Sequence, residues 1–92
     1  MITEYLNEIL RICCEEMEVD VESVKSRSRK TELVQCRVIF IVITKEKFNI
    51  NNEQIGKIIN KTKNDICYHY NHQPETKYFK IILEHIKKRV NN

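Results

Sequence analysis

The chain of 92 residues contains one glycine, Gly56, and one proline, Pro74. A β-sandwich needs a turn about every ten residues, and such turns draw heavily on glycine and proline. Their scarcity favours helices joined by short connections. A hydrophobic fraction of 41% and a charged fraction of 32% are ordinary for a globular protein. We therefore expect residues 1–92 to form one all-α domain, a compact bundle of roughly five to six helices.

The first half of the chain predicts two long helices and one short turn. Apolar residues three and four apart indicate a first helix from a cap at Thr3 to about Met17. Asp20 suits the cap of a single helical turn. A second long helix begins at Thr31 or Glu32 and ends near Lys47. Residues 38–44 are β-branched enough to form a buried strand, but no other segment offers that strand a partner, which favours the helix.

The second half predicts three further helices. Asn51 with Gln54 is a variant of the capping box and begins a short helix through Ile59. A turn at residues 60–62 leads to a helix from Lys63 or Asn64 to about His72. Pro74 at a first helical position then opens the last helix. The residues expected to face inward in these two helices are Ile66 or Cys67, then Tyr70, Tyr78, Phe79, Ile82, Leu83 and Ile86.

Residues 51–72 read as a helix-turn-helix, whose second helix enters the major groove of duplex DNA. Lys63 can donate to guanine, Asn64 can pair with adenine and Asp65 can accept from cytosine. Asn64 or Asp65 could instead cap the helix, and both interpretations stay open. The other polar residues expected at this DNA surface are Asn52, Lys61, Thr62 and His69.

The segment Ser26-Arg27-Ser28-Arg29-Lys30 forms a cationic loop ahead of the second long helix. Arginine on a flexible loop suits the minor groove, where the negative potential is enhanced, and neighbouring Lys and Ser can hold phosphates. A basic run of this length alone is often a solvated loop. Next to a helix-turn-helix it favours DNA binding, with Arg27, Arg29 and Lys30 as the candidate contacts.

Charge is distributed unevenly along the chain. Residues 1–22 hold seven carboxylates and one basic residue, Arg11, so their net charge is −6. Because the net charge of the whole chain is +3, the remaining residues carry a net charge of +9. A basic body with an acidic first helix is typical of a phosphate binder that presents one face. The alternative is a protein-interaction adaptor whose partner surface combines the acidic helix with Tyr68, Tyr70 and Tyr78.

Several other classes of protein find little support in the sequence. The four cysteines lack zinc-site spacing and read as reduced thiols of an intracellular protein. No signal peptide or membrane span is evident, so we expect a cytoplasmic protein that uses neither a metal nor a cofactor. Asp65, His69 and His72 could be drawn as a catalytic or metal site, but a polar strip facing the groove explains them better. An enzyme is not expected.

The chain resembles the C-terminal DNA-binding domain of the bacterial replication initiator DnaA, a Trp-repressor-like helix-turn-helix family, over about residues 6–90. The resemblance rests on residues 19–30, on Val34-Gln35-Cys36-Arg37 and on residues 53–59, with a gapless match from Ser26 through Gly56. It implies that Arg29 enters the minor groove and that Arg37 contacts the DNA backbone. It also implies a monomer on duplex DNA.

The chain departs from that family at the start of the recognition helix. The family carries an Arg-Asp-His-Thr-Thr-Val-like stretch there, whereas this chain reads Thr62-Lys63-Asn64-Asp65-Ile66-Cys67-Tyr68-His69. A gapless register would place Ile66 among the base-reading positions. Removing one turn residue places Thr62 to Asp65 there and keeps Ile66 buried, and we prefer that register. No Walker motif is present, so we expect a freestanding domain without the family's ATPase.

Overall fold

The computed structural model describes residues 2–91, which form helices and no strand. The all-α prediction is confirmed, including the helix at residues 38–44. The six helices of this range are α1 (Ile2–Met17), α2 (Val21–Val24), α3 (Thr31–Lys47), α4 (Asn52–Ile59), α5 (Lys63–Asn71) and α6 (Lys77–Val90).

Side-chain caps set most of the helix starts. Asp20 accepts from the Ser23 amide, and Asn51 and Gln54 form the expected capping box. Two predicted starts are wrong. The backbone is already helical at Ile2, so Thr3 lies within α1. Pro74 precedes α6, because the hydroxyl of Thr76 accepts from the Phe79 amide and caps that helix at a later residue.

Helix α3 is the centre of the core. Residues 36–44 of this helix are all buried, including Arg37 and Thr44. The hydroxyl of Thr44 donates to the Phe40 carbonyl within the same helix, at 2.8 Å, which satisfies it away from water. Helices α1, α2, α4, α5 and α6 all pack against α3. An apolar run without a polar face therefore becomes a helix that is covered on every side.

The turn between α4 and α5 depends on Gly56 and Asn60. Asn60 ends α4 in the left-handed conformation, with a φ of 58°. This turns the chain back, so that the Lys61 amide donates to the Gly56 carbonyl at 2.8 Å. A Cβ atom on Gly56 would overlap with the Lys61 carbonyl, which belongs to rigid backbone. The two helices of the motif therefore approach each other closely at Gly56.

A buried arginine holds the basic loop on α3. Arg37 is 3% exposed, and its Nε donates to the Val24 carbonyl at 2.7 Å. Its Nη2 donates to the carbonyls of Ser23 at 3.3 Å and Ser26 at 3.0 Å. These carbonyls lie at the end of α2 and the start of the loop. A charged donor in a dry site thus fixes where the loop begins.

Serine side chains organise the rest of the loop. Ser26 donates through Oγ to the Ser23 carbonyl at 2.6 Å and accepts from the Ser28 amide at 3.2 Å. Oγ of Ser28 accepts from the Lys30 amide at 3.4 Å. The phosphate contacts expected of these serines stay a prediction, because the Ser26 hydroxyl bonds to α2 and to the loop and the Ser28 hydroxyl bonds to the loop. Arg27 and Arg29 remain exposed.

Replacing Gly56 with Val should destabilise the domain by about 2 kcal/mol or more, because the new side chain collides with the Lys61 carbonyl. Urea unfolding measures this loss. The matched control is Lys57→Val at the exposed neighbouring position, which adds the same side chain to the same helix and should cost less than about 1 kcal/mol. Equal effects of the two substitutions would contradict the close approach.

Replacing Arg37 with Lys should cost about 2 kcal/mol, because one ammonium group cannot reach all three carbonyls that the guanidinium holds. Amide exchange in residues 25–28 should also accelerate. Arg27→Lys makes the same chemical change at an exposed loop position and should alter the unfolding free energy by less than about 0.5 kcal/mol. Unchanged unfolding of the Arg37 variant would mean that the loop does not depend on this side chain.

Candidate nucleic-acid interface

A cleft of about 540 Å³ separates the basic loop from α5. One wall comes from the loop and from α3, and the other from the helix-turn-helix. Two segments that lie far apart in the sequence therefore border one cavity. Its lining consists of Arg27, Arg29, Val34, Arg37, Lys61, Asp65, Tyr68 and His69.

Positive charge is crowded within this cleft. Lys61 extends from the turn of the helix-turn-helix, and its Nζ donates to the Ser26 carbonyl at 2.5 Å. Burial lowers the pKa of Lys61, and the charges of Arg37 and Arg27 lower it further, whereas Asp65 opposes the shift. The protein places cations close together with one carboxylate nearby. An anion entering the cleft would relieve that repulsion.

His69 lies half-buried beside these cations. Burial lowers its pKa below the ordinary value of 6.5, and the charges of Arg37 and Lys61 lower it further. Asp65 acts in the opposite direction and only partly compensates. The imidazole therefore favours its neutral form at neutral pH. A phosphate would reverse the electrostatic part of this shift.

The start of α5 shows whether Asp65 takes part in capping the helix, which the sequence left open. Thr62 accepts through Oγ1 from the Asp65 amide at 3.2 Å, and Asp65 accepts through Oδ2 from the Thr62 amide at 3.1 Å. The two residues form a capping box. The hydrogen bonds to Thr62 hold the pKa of the Asp65 carboxyl below its usual range. Thr62 is therefore the N-cap of α5 and Asp65 is its capping-box partner, and the contact of Asp65 with a base stays a prediction.

Lys63 and Asn64 lie beside a second, shallower hollow of about 370 Å³ between the starts of α4 and α5. Both side chains are exposed. Asn52 borders the same hollow and accepts through Oδ1 from Lys45 Nζ at 2.7 Å. Ile66 is fully buried, as the preferred register requires, while Cys67 is exposed. The polar residues of α5 thus border both the hollow and the cleft.

The basic residues predicted to contact DNA differ in their exposure and in whether they line the cleft. Arg27 and Arg29 are exposed and line the cleft, whereas Lys30 is exposed at the start of α3 and outside the lining. Arg37 lines the cleft but is almost wholly buried, with its Nε and Nη2 bonded to carbonyls. Its contact with DNA stays a prediction, and its structural role at the loop was not anticipated.

Tyr68 belongs to the cleft but was not among the DNA contacts expected from the sequence. The residue is 59% exposed, and its ring stacks on His72, with the ring centroids 4.2 Å apart and 19° between the planes. His72 also bonds through Nδ1 to the Tyr68 carbonyl at 2.9 Å. Stacking and this bond restrict an otherwise free aromatic side chain. The four-residue spacing on a helix was the available signal for that pair.

The proposed adaptor surface is not one continuous feature. Tyr68 borders the cleft, Tyr70 packs against the core beneath Lys45 Nζ, and Tyr78 is exposed on α6. Some carboxylates of the acidic α1 form ion pairs with α6 of the same molecule. Glu15 binds Arg89 at 2.6 Å, and Arg89 pairs with Glu16 as well.

Within residues 2–91, no group of three or more His, Cys, Asp or Glu residues is arranged to hold a metal ion. Over the same part of the chain, every helix is too short or too polar to span a bilayer.

Comparison with known proteins gives a consistent family. Residues 6–72 match the family described as the bacterial DnaA protein helix-turn-helix. The chain is 38% identical over 53 residues to the chromosomal replication initiator protein DnaA of Mycoplasma pneumoniae. It is 34% identical over 53 residues to that of Mycoplasma genitalium, and 30% identical over 54 residues to that of Bacteroides thetaiotaomicron.

These matches cover 58% to 59% of the chain but only 12% of each relative. The similarity is therefore to one small part of those initiators. The family match over residues 6–72 includes the basic loop, the central helix and the helix-turn-helix, and so includes residues 19–30, 34–37 and 53–59, on which the resemblance in the sequence rests. Because the family match spans most of this chain, the chain belongs to the bacterial DnaA helix-turn-helix family.

Proposed function

We propose that this domain binds duplex DNA in a sequence-specific manner, with α5 in the major groove and the basic loop in the adjacent minor groove. It serves replication initiation or transcriptional regulation. The observation that carries the proposal is the shared cleft, because the loop arginines and α5 line the same cavity. Membership of the DnaA helix-turn-helix family supports it.

The cleft accommodates the DNA strand that lies between the two grooves. Adjacent major and minor grooves of a duplex are separated by one sugar-phosphate strand. A protein that reaches into both grooves must accommodate that strand between its two contacts. The crowded cations Arg27, Lys61 and Arg37 lie where such a strand would pass. Their charge provides affinity without sequence preference, which the groove contacts then add.

Sequence preference comes from the exposed side chains on both sides of this strand. On α5, Lys63 and Asn64 are exposed within the first turn, the part of a recognition helix that reaches base edges. On the loop, Arg29 is exposed and reaches the minor groove. Tyr68 packs its ring, which His72 restrains, against the DNA backbone at the edge of the cleft. Each role matches the chemistry of its side chain.

The direct test is selection of bound sequences from random duplex DNA at two salt concentrations. We expect an enriched motif of roughly nine base pairs, since the two contacts span adjacent grooves. Its binding should fall by about 0.9 log units per released counterion for each tenfold rise in salt. Absence of both enrichment and salt-sensitive binding would contradict the proposed function.

Arg29→Ala should weaken binding to sites with A·T flanks more than to sites with G·C flanks, because the narrow minor groove of A·T tracts attracts an inserted arginine. Fluorescence anisotropy on the two kinds of duplex measures the difference. Arg27→Ala is the matched loop control and should weaken both sites alike. Equal losses for Arg29→Ala would reduce its role to a phosphate contact.

Replacing Lys63 or Asn64 with Ala should relax base preference at one or two positions of the site. The expected loss is about 1 to 3 kcal/mol for each bidentate pair removed. Repeating the selection with each variant measures the change. An unaltered motif in both variants would place base reading on other side chains.

Affinity should increase as pH falls from about 7.5 to about 5.5, because a phosphate in the cleft raises the depressed pKa of His69 and binding then takes up a proton. The gain is at most about tenfold per pH unit for one proton. Without DNA the sign is opposite, since the depressed pKa makes the free domain less stable as pH falls below about 6.5.

His69→Gln should flatten the affinity profile over this range. The matched control is His72→Gln, which removes the neighbouring exposed imidazole that lies outside the cleft lining. Titration of a fixed duplex at each pH measures both. An unchanged pH profile in the His69 variant would assign the proton uptake elsewhere.

A further inference from the structure

Two buried thiols meet where α1 packs on α3. The Sγ atoms of Cys14 and Cys36 lie 3.9 Å apart, and the two residues are 2% and 0% exposed. Both are free cysteines, and 22 positions separate them in the sequence, so the fold brings them together. A bond between two sulfur atoms is about 2 Å long, so a small movement of the side chains would close the gap.

The hydrogen bond between these thiols makes them chemically unequal. When Cys36 donates its S–H to Cys14, the bond lowers the pKa of Cys14, while burial acts in the opposite direction. The same hydrogen bond raises the pKa of Cys36, and burial raises it further. Cys14 is therefore the more acidic thiol of the pair. Because the thiolate is the form that attacks an oxidant, Cys14 is the sulfur that reacts first.

The neighbouring Cys13 provides an internal comparison. It is as buried as Cys14, at 0% exposure. Burial raises the pKa of Cys13, and the charge of Cys14 raises it further. Consecutive residues of an α-helix point about 100° apart, so the two cysteines direct their sulfur atoms differently. It is Cys14 whose sulfur meets that of Cys36.

The thiol pair lies beside the attachment of the basic loop. Cys36 precedes Arg37 on α3, and the Arg37 guanidinium holds the end of α2 and the start of the loop. On α1, the Cys14 carbonyl accepts from the Val19 amide at 2.9 Å, in the connection that leads to α2. A covalent bond between the two cysteines would tie this connection to α3. It would strengthen an attachment that Arg37 makes through hydrogen bonds alone.

We propose that Cys14 and Cys36 are a site of reversible oxidation, at which a small hydroperoxide forms a disulfide that links α1 to α3. The disulfide stabilises the domain and holds α2 and the start of the basic loop more firmly. Disulfides in reducing compartments are usually transient and report on oxidants, which suits a pair of thiols that is reduced at rest. This proposal does not depend on the proposed DNA function, because the bond forms without DNA.

The reaction consumes one hydrogen peroxide for each disulfide. The Cys14 thiolate attacks one peroxide oxygen, the O–O bond breaks, and a sulfenic acid forms while the other oxygen leaves as hydroxide. That hydroxide takes the proton that Cys14 lost and becomes water. The Cys36 sulfur then attacks the Cys14 sulfur, the S–O bond breaks, and the leaving hydroxide takes the Cys36 proton as a second water. The two sulfurs together lose two electrons, which the peroxide gains.

Burial determines which oxidant reaches the pair and how fast. Thiols in a closed core are inert, so oxidation requires a local opening of α1 from α3. A molecule as small as hydrogen peroxide needs the least opening. We expect the disulfide to form over minutes to hours, within the ordinary range for protein disulfides.

Peptide mapping after peroxide treatment tests the site. The whole chain carries Cys67→Ser, which removes the exposed thiol that would cross-link two molecules. Mass spectrometry should find a Cys14–Cys36 disulfide as the main product, and dithiothreitol should remove it. Cys13→Ala is the matched control and should keep the disulfide, whereas Cys14→Ala should reduce its yield at least about tenfold. If the Cys14 variant does not fold, fragmentation of the linked peptide between residues 13 and 14 identifies the sulfur.

The consequence of oxidation is measured on one protein in its two redox states. The bond closes a loop from residue 14 to residue 36, so the equilibrium constant for unfolding in urea should fall at least about tenfold. Amide exchange in residues 23–28 should slow, and dithiothreitol should reverse both effects. In the Arg37→Lys variant, oxidation should restore part of the protection that these amides lose.

Three results would overturn the proposal. The first is a folded protein that forms no intramolecular disulfide during hours of exposure to peroxide. The second is a product that links Cys36 to Cys13, or to Cys13 and Cys14 equally. The third is a Cys14–Cys36 disulfide that fails to raise the urea midpoint or leaves exchange in residues 23–28 unchanged, since the bond would then not reinforce the attachment of the loop.

Discussion

One backbone oxygen joins the three parts of the interface. The carbonyl of Ser26 accepts from Arg37 Nη2 at 3.0 Å and from Lys61 Nζ at 2.5 Å. Arg37 belongs to the central helix, Lys61 to the turn of the helix-turn-helix and Ser26 to the basic loop. The separation between loop and recognition helix is therefore set inside the protein. Without this junction, the basic loop and α5 would lose a shared point of attachment.

The junction brings cations into mutual repulsion, and it also orders the basic loop. Two cations share one carbonyl in a poorly solvated place, and each lowers the tendency of its neighbours to hold a proton. In exchange, hydrogen bonds within the protein itself hold the loop in place. A preformed loop loses less conformational entropy on binding than a flexible one. A phosphate in the cleft would reduce this unfavourable crowding of charge, so the charges of the cleft favour an anion over a cation.

Local patterns predicted most of the fold. Capping residues such as Asp20 and Asn51 marked helix starts because their side chains satisfy amides within three residues, a range that sequence spacing captures. Pro74 misled because proline only permits a helix start, whereas Thr76 supplies an acceptor. Contacts between segments that are distant in the sequence could not be predicted from local patterns. The bonds from Arg37 to residues 23–26 depend on how α2 packs on α3, so a residue expected on the DNA backbone lies in the interior.

The central claim is that one protein face engages a major and a minor groove across a single strand. Methylation interference tests it directly, because dimethyl sulfate marks guanine N7 in the major groove and adenine N3 in the minor groove. On a selected site, methyl groups that block binding should include both kinds, in adjacent grooves on one face of the duplex. Arg29→Ala should abolish only the minor-groove interference. Interference confined to one groove, or spread around the duplex, would contradict the account.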